Sequence, residues 1–323
     1  MRMIFRVFFA MCKSTMVIDD LLFYIMAVAS EKTARGFFGY LLIYLYIIAT
    51  VFIIWRVIDG YSFFTTPFQE RPRHEDYREL RPAGDFSHGL GIVGSLMMLF
   101  MLLYTVRKRT RFFKKWGQLS KWLDVHIFFG IVGPLLVILH TSFKVQGLVA
   151  VSFWSMIAVA ASGVLGRYLY LQIPRSMGGE ELTGQQIDDL KKELVNQIVH
   201  ENKIDENQLA SIEQSLSSES KQSRGLIGSL FAIVSDDLTR PFKMKKFRKK
   251  YLGKLNLPHE LEHKVLSAML DRALLERKVA FLNQVQTLFH YWHVFHKPFA
   301  IIMYIIMLVH VGVAIWLGYT WIF

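Results

Sequence analysis

Residues 122–143 read WLDVHIFFGIVGPLLVILHTSF, and this stretch decides the fold. Between Asp124 and Lys144 no acidic side chain, lysine or arginine interrupts it. Crossing a hydrocarbon core of about 30 Å takes roughly 20 helical residues, so the run predicts a membrane-spanning helix. Working outward, residues 37–57, about 88–106, 148–171 and about 298–323 have the same character. Of the 323 residues, 53% are hydrophobic and only 20% charged, more apolar surface than a soluble core covers. Backbone polar groups inside lipid must be satisfied within the segment. The pattern therefore predicts an all-α polytopic membrane bundle of about five transmembrane helices with a helical cytoplasmic insert.

Charge sets the expected orientation. Arg107, Lys108, Arg109, Arg111, Lys114, Lys115 and Lys121 lie between the second and third spans with no acidic residue among them. Cytoplasmic connections carry such excess. Alternation then puts residues 58–87 and the turn at Lys144 outside, and residues 172–290 inside. The expected organisation is an N-terminal cytoplasmic or interfacial segment (1–35), spans one to four (36–171), a cytoplasmic helical insert (172–290) and a last span (291–323) that ends outside. Ala27-Val28-Ala29 resembles a cleavage site. Asp19 and Asp20, however, stand where a signal peptide carries positive charge, so a surface-lying helix is expected over residues 1–30.

The net charge of +12 follows from 38 Lys and Arg against 26 Asp and Glu. In a membrane chain this reflects cytoplasmic loops rather than nucleic acid as a partner. The insert adds Arg240-Pro-Phe-Lys-Met-Lys-Lys-Phe-Arg-Lys-Lys250, which reads as adhesion to anionic headgroups. Thr183 with Gln186 reads as a capping box for an amphipathic helix, and the serine-rich residues 215–223 as a connector. The one cysteine, Cys12, excludes a disulfide within the chain, a Cys-ligated iron–sulfur cluster and a C-x-x-C-H haem attachment.

Ionisable residues at membrane depth are costly and mark function. His126 and His140 are 14 positions apart, and so are His296 and His310. Fourteen helical residues advance about 21 Å and return to within roughly 40° of the starting direction. Spans three and five run parallel by alternation, which predicts His126 with His296 at the inner level and His140 with His310 at the outer. Two stacked bis-imidazole pairs match the ligands that two haem irons require. Pro298 follows His296 by two and is one expected start for the fifth helix; His293 or His290 then takes the inner site instead.

This His-x13-His pattern in two helices resembles the di-haem core of ferric-reductase-type transmembrane domains and of respiratory di-haem b-type cytochromes, over roughly residues 88–171 and 290–323. The resemblance implies two low-spin b haems passing electrons across a bacterial cytoplasmic membrane, with His126, His140, His296 and His310 on the irons. Flavin-linked members carry a nucleotide-binding domain after the last span, and none is expected here. A quinol or quinone and a partner redox subunit (a multihaem c-type cytochrome, an iron–sulfur protein or a flavoprotein) are therefore the expected exchange partners.

Further candidates surround the ligands. Gly130 and Gly133 in span three, and Gly163 and Gly166 in span four, either admit a flat macrocycle or pack helices closely. Arg167 inside and Lys144 outside either pair with propionates or snorkel to headgroups. His88 at the outer end of span two, followed by Gly89 and Gly91, is a quinone partner, a further ligand or an interfacial cap. Asp124 is a candidate proton acceptor. A competing motif, His259-Glu260-Leu261-Glu262-His263, matches the H-E-x-x-H of membrane zinc metalloproteases. Against it stand Pro258, the charge of Glu262 and the lack of an evident third ligand. A cofactor-free membrane anchor is the third reading, and it leaves the spaced histidines unexplained.

Overall fold

The computed structural model describes residues 37–110, 116–174, 225–251 and 277–319, together with Leu275 and a few positions between 185 and 193. Among the described residues all regular structure is helical, and five helices are long and apolar enough to cross a membrane. We number the elements α1 (Phe37–Asp59), α2 (Tyr61–Thr65), α3 (Tyr77–Leu80), α4 (Asp85–Arg109), α5 (Leu119–His140), α6 (Leu148–Gln172), α7 (Leu226–Tyr251) and α8 (Leu282–Trp316). The membrane helices are α1, α4, α5, α6 and α8.

Two boundaries differ from expectation. The third span ends at His140, because Ser142 and Phe143 take left-handed φ angles of 47° and 61°. Neither residue type favours that region, so the turn is held from outside. The fifth helix does not start at Pro298: it runs 35 residues from Leu282 to Trp316 with Pro298 inside. Proline there removes one backbone hydrogen bond, but the apolar run on both sides leaves the backbone no other way to satisfy itself in lipid. Pro134 is accommodated inside α5 in the same way. Residues 1–30, the connector at 215–223, Thr183 and the HELEH motif lie outside the described residues.

The chain forms two compact units, Met1–Gly163 with His296–Phe323, and Val164–Phe295. In the first, α1 packs on α4 and α5 through Ile53, Val57, Leu90, Phe128, Val132, Leu136 and Leu139. A methionine-rich core of Met98, Phe153, Met156, Met303 and Met307 joins α4, α6 and α8. Tyr304 donates its hydroxyl to the Met98 carbonyl at 2.6 Å, and Ser152 donates to the Met303 carbonyl at 3.1 Å. Within lipid such contacts and close packing, not water exclusion, hold helices together. The large apolar side chains left exposed on α1 and α8, such as Tyr44, Ile48, Ile301, Ile305 and Val309, suit a lipid surround.

The connection between α1 and α4 is folded. Phe63, Phe64 and Leu80 pack on Phe143. Arg71 lies buried among them, donating from Nη1 to the Ser142 carbonyl at 2.7 Å, from Nη2 to that of Phe64 at 2.8 Å and from Nε to that of Thr66 at 3.0 Å. Ser142 Oγ in turn donates to the Leu80 carbonyl. These bonds hold the left-handed turn after α5. Burial pulls the Arg71 pKa below its ordinary value, but a guanidinium stays charged at neutral pH.

In the second unit, Leu169 and Ile173 at the end of α6 pack with Ile233 of α7 and Val285 of α8. Asp237 accepts hydrogen bonds from Tyr168 at 2.8 Å, Gln172 at 3.0 Å and Arg277 at 2.5 Å.

Candidate functional site

Helices α4 and α5 meet in a regular antiparallel register. His140 Nδ1 lies 2.9 Å from the Ser87 carbonyl oxygen, and His126 Nδ1 lies 3.2 Å from that of Met101. Midway between these rungs Gly94 meets Gly133, where a Cβ on Gly94 would stand 2.9 Å from the Gly133 oxygen. The rungs fall at Ser87, Gly94 and Met101 on one helix and at His140, Gly133 and His126 on the other, every seventh residue on both. Seven residues are two turns, so all three rungs share one seam. Small residues on the α4 side make room for it. A Cβ at Gly91 would come within 2.7 Å of Cγ and Nδ1 of the His140 ring.

Tautomers follow from these partners. A carbonyl oxygen only accepts, so Nδ1 of His126 and of His140 carries the proton. His296 Nδ1 lies 2.7 Å from Ser162 Oγ, whose own hydrogen goes to the Val159 carbonyl at 2.9 Å. That hydroxyl therefore accepts from His296, and Nδ1 is again the protonated nitrogen. In each neutral ring the lone pair lies on Nε2, the arrangement of a metal-ligating imidazole oriented by a second partner. His88 is reversed. Its Nε2 donates to the Tyr319 carbonyl at 3.1 Å, and its ring centroid stands 6.2 Å from that of His140.

His310 joins the His88 and His140 end of the helices, within reach of both rings. The Tyr304–Met98 and His88–Tyr319 bonds run α8 antiparallel to α4, and hence parallel to α5, so His310 and His140 belong to one end. His126 is flanked by Tyr104 with ring centroids 5.1 Å apart. His296 shares the first unit with His126, His140 and His310, whereas His290 and His293 belong to the second. There His293 donates to the Phe289 carbonyl one turn back at 2.8 Å and packs on Phe289 and Trp292. His290 packs on Tyr291.

The remaining candidates divide. Gly133 faces Gly94, Met98 and Met97, Gly130 faces Met101, and Gly166 is covered by the Trp292 indole. These glycines serve close packing. Gly163 alone faces a candidate ligand, with a hypothetical Cβ 4.0 Å from His296 Cε1. Arg167 lies over the Tyr170 ring at 5.5 Å, Lys144 is exposed on the turn after α5, and Asp124 sits in the early turns of α5. Ser87, Gly91 and Ser162, which position the candidate imidazoles, were not singled out as such from sequence. A small residue has no chemical signature until its neighbour is known.

Two histidines per iron suffice for axial ligation of a haem. The chemistry of the donor set suits that group: His126, His140 and His296 keep their basic nitrogen at Nε2, and His310 lies at the His140 end of the helices. A macrocycle resting on Gly133 or Gly166 does not fit, since those faces are filled. Among the described residues no three or more His, Cys, Asp or Glu side chains gather as a metal-holding group. No family model, no curated protein sequence and no solved structure matches this chain.

Proposed function

We propose that this chain is a di-haem b-type cytochrome membrane subunit that carries electrons across the bilayer between a quinol/quinone pool and a partner redox protein. One observation carries the reading: Nδ1 of His126, of His140 and of His296 lies within hydrogen-bond distance of an oxygen, the orientation that a second partner gives a metal-ligating imidazole. His126 and His296 would hold the inner iron, and His140 and His310 the outer.

A bound haem supplies a one-electron couple held in low dielectric; the protein's residues set where it sits and how basic its ligands are. The Ser87 and Met101 carbonyls and the Ser162 hydroxyl fix the rings against rotation and raise the electron density on Nε2. His88 is a positioning or proton-handling residue at the outer end, with its own N–H committed to the Tyr319 carbonyl. The orientation expected from the basic connection, with residues 107–121 in the cytoplasm of a bacterium, places the His140 end outside.

The test is a pyridine haemochrome assay with a reduced-minus-oxidised spectrum on the purified chain, alongside His140→Ala and His310→Ala. Two b haems per chain, with one lost in either variant, supports the reading. Absence of haem from protein made with ample haem supply overturns it and leaves a cofactor-free anchor. Zinc content and peptidase activity then test the HELEH motif.

A further inference from the structure

Helix α7 belongs to the second unit and has two contrasting faces. Ser229 and Ile233 are 1–2% exposed, and Leu230 is partly buried against the core formed with Leu169 and Ile173. Asp237 holds the same face through Tyr168, Gln172 and Arg277. By contrast, Ile227, Phe231, Leu238 and Phe242 are 71–83% exposed. At about 100° per residue these four fall within an arc of roughly 60°. They make a continuous apolar stripe that no part of the described chain covers.

The stripe runs straight into positive charge. From Arg240 to Lys250 the same helix carries Arg240, Lys243, Lys245, Lys246, Arg248, Lys249 and Lys250, with no acidic residue among them. A helix with large apolar residues on one face and a dense cationic tract is the pattern of an element lying in a membrane interface. Its placement agrees. The buried face of α7 rests on Leu169 in the last turn of α6 and on Ile173 just past its end, where α6 leaves its apolar run.

We propose that α7 is an interfacial anchor, its Ile227–Phe231–Leu238–Phe242 stripe seated at the acyl boundary of an anionic leaflet and its cations on lipid phosphates. A second copy of the chain is the poorer occupant. A parallel two-fold contact through this helix would bring two seven-cation tracts together and an antiparallel one would leave each without a counter-charge, whereas anionic headgroups neutralise them. The anchor would set the second unit against the membrane surface, independently of whether the histidines hold haem.

The experiment uses the full chain in lipid nanodiscs. With Cys12→Ser as background, nitroxide labels are placed by Phe231→Cys and, separately, Leu238→Cys, both exposed positions that folding does not need. Glu193→Cys, an exposed helical site, serves as the aqueous reference. Collision with oxygen reports acyl surroundings, and collision with a nickel chelate reports water. On discs rich in phosphatidylglycerol the labels at 231 and 238 should be oxygen-dominated. On pure phosphatidylcholine discs, or with Lys245, Lys246, Lys249 and Lys250 all changed to Gln, nickel access should rise at least ~threefold. Nickel access equal to that at position 193 on anionic discs overturns the proposal. So does closure to both reagents, which would mean that protein covers the stripe.

Discussion

Gly94 of α4 and Gly133 of α5 lie face to face, so close that a Cβ on Gly94 would stand 2.9 Å from the Gly133 carbonyl oxygen and equally close to a Val137 methyl. This contact is the middle rung between Ser87–His140 and Met101–His126, and it sets the spacing of the other two. Backbone cannot yield as a flexible side chain does. Gly94→Val should therefore push the two helices apart and destabilise the fold by about 1–3 kcal/mol. Gly130→Ala meets only the end of the Met101 thioether at 3.1 Å and should cost under about 1 kcal/mol. Unfolding of both variants in one detergent, followed by circular dichroism, checks the ranking.

Gly91 tests the His140 end alone. Any side chain there enters the space of the His140 ring, so Gly91→Ala should displace the imidazole from the Ser87 carbonyl. With haem bound, the outer centre's low-spin signal should be lost or broadened in electron paramagnetic resonance while the inner signal persists. Loss of both signals together would show that the two levels are not independent.

Ser162 tests the His296 end without replacing a candidate ligand. Ser162→Ala removes the acceptor of the His296 Nδ1–H, and an outer partner of a metal ligand is typically worth about 10–100-fold in affinity. Inner haem should be lost at correspondingly lower concentrations of a competing haem acceptor, and Ser162→Thr, which keeps the hydroxyl, should restore retention. A variant that keeps its haem but unfolds earlier would make Ser162 a packing residue only.

Arg71 is predicted to act through geometry as much as charge. Three carbonyls, those of Phe64, Thr66 and Ser142, accept from one planar fork. Arg71→Met leaves them unsatisfied and should destabilise the connection between α1 and α4 by about 3 kcal/mol. Arg71→Lys should recover little, because an ammonium cannot reproduce the fork. Limited proteolysis between residues 59 and 85 should quicken in both variants while the inner histidines stay unaffected.

Much of this arrangement was legible in the residues themselves. The membrane helices follow from uninterrupted apolar runs, because lipid leaves the backbone no alternative to a helix. The 14-residue spacing of His126 and His140 places both on one face through helical periodicity alone. Packing decided the rest. Whether Pro298 begins a helix or sits within one depends on the length of apolar chain around it, and in the fold α8 continues through. Gly133 and Gly166 looked the same as cofactor cradle or helix contact until Gly94 and Trp292 were found against them. Hydropathy and spacing act along the chain and so can be read along it. The tautomer of His296, the bond from His140 to Ser87 and the burial of Arg71 depend on oxygens 134, 53 and up to 71 residues away, and only the tertiary structure brings them together.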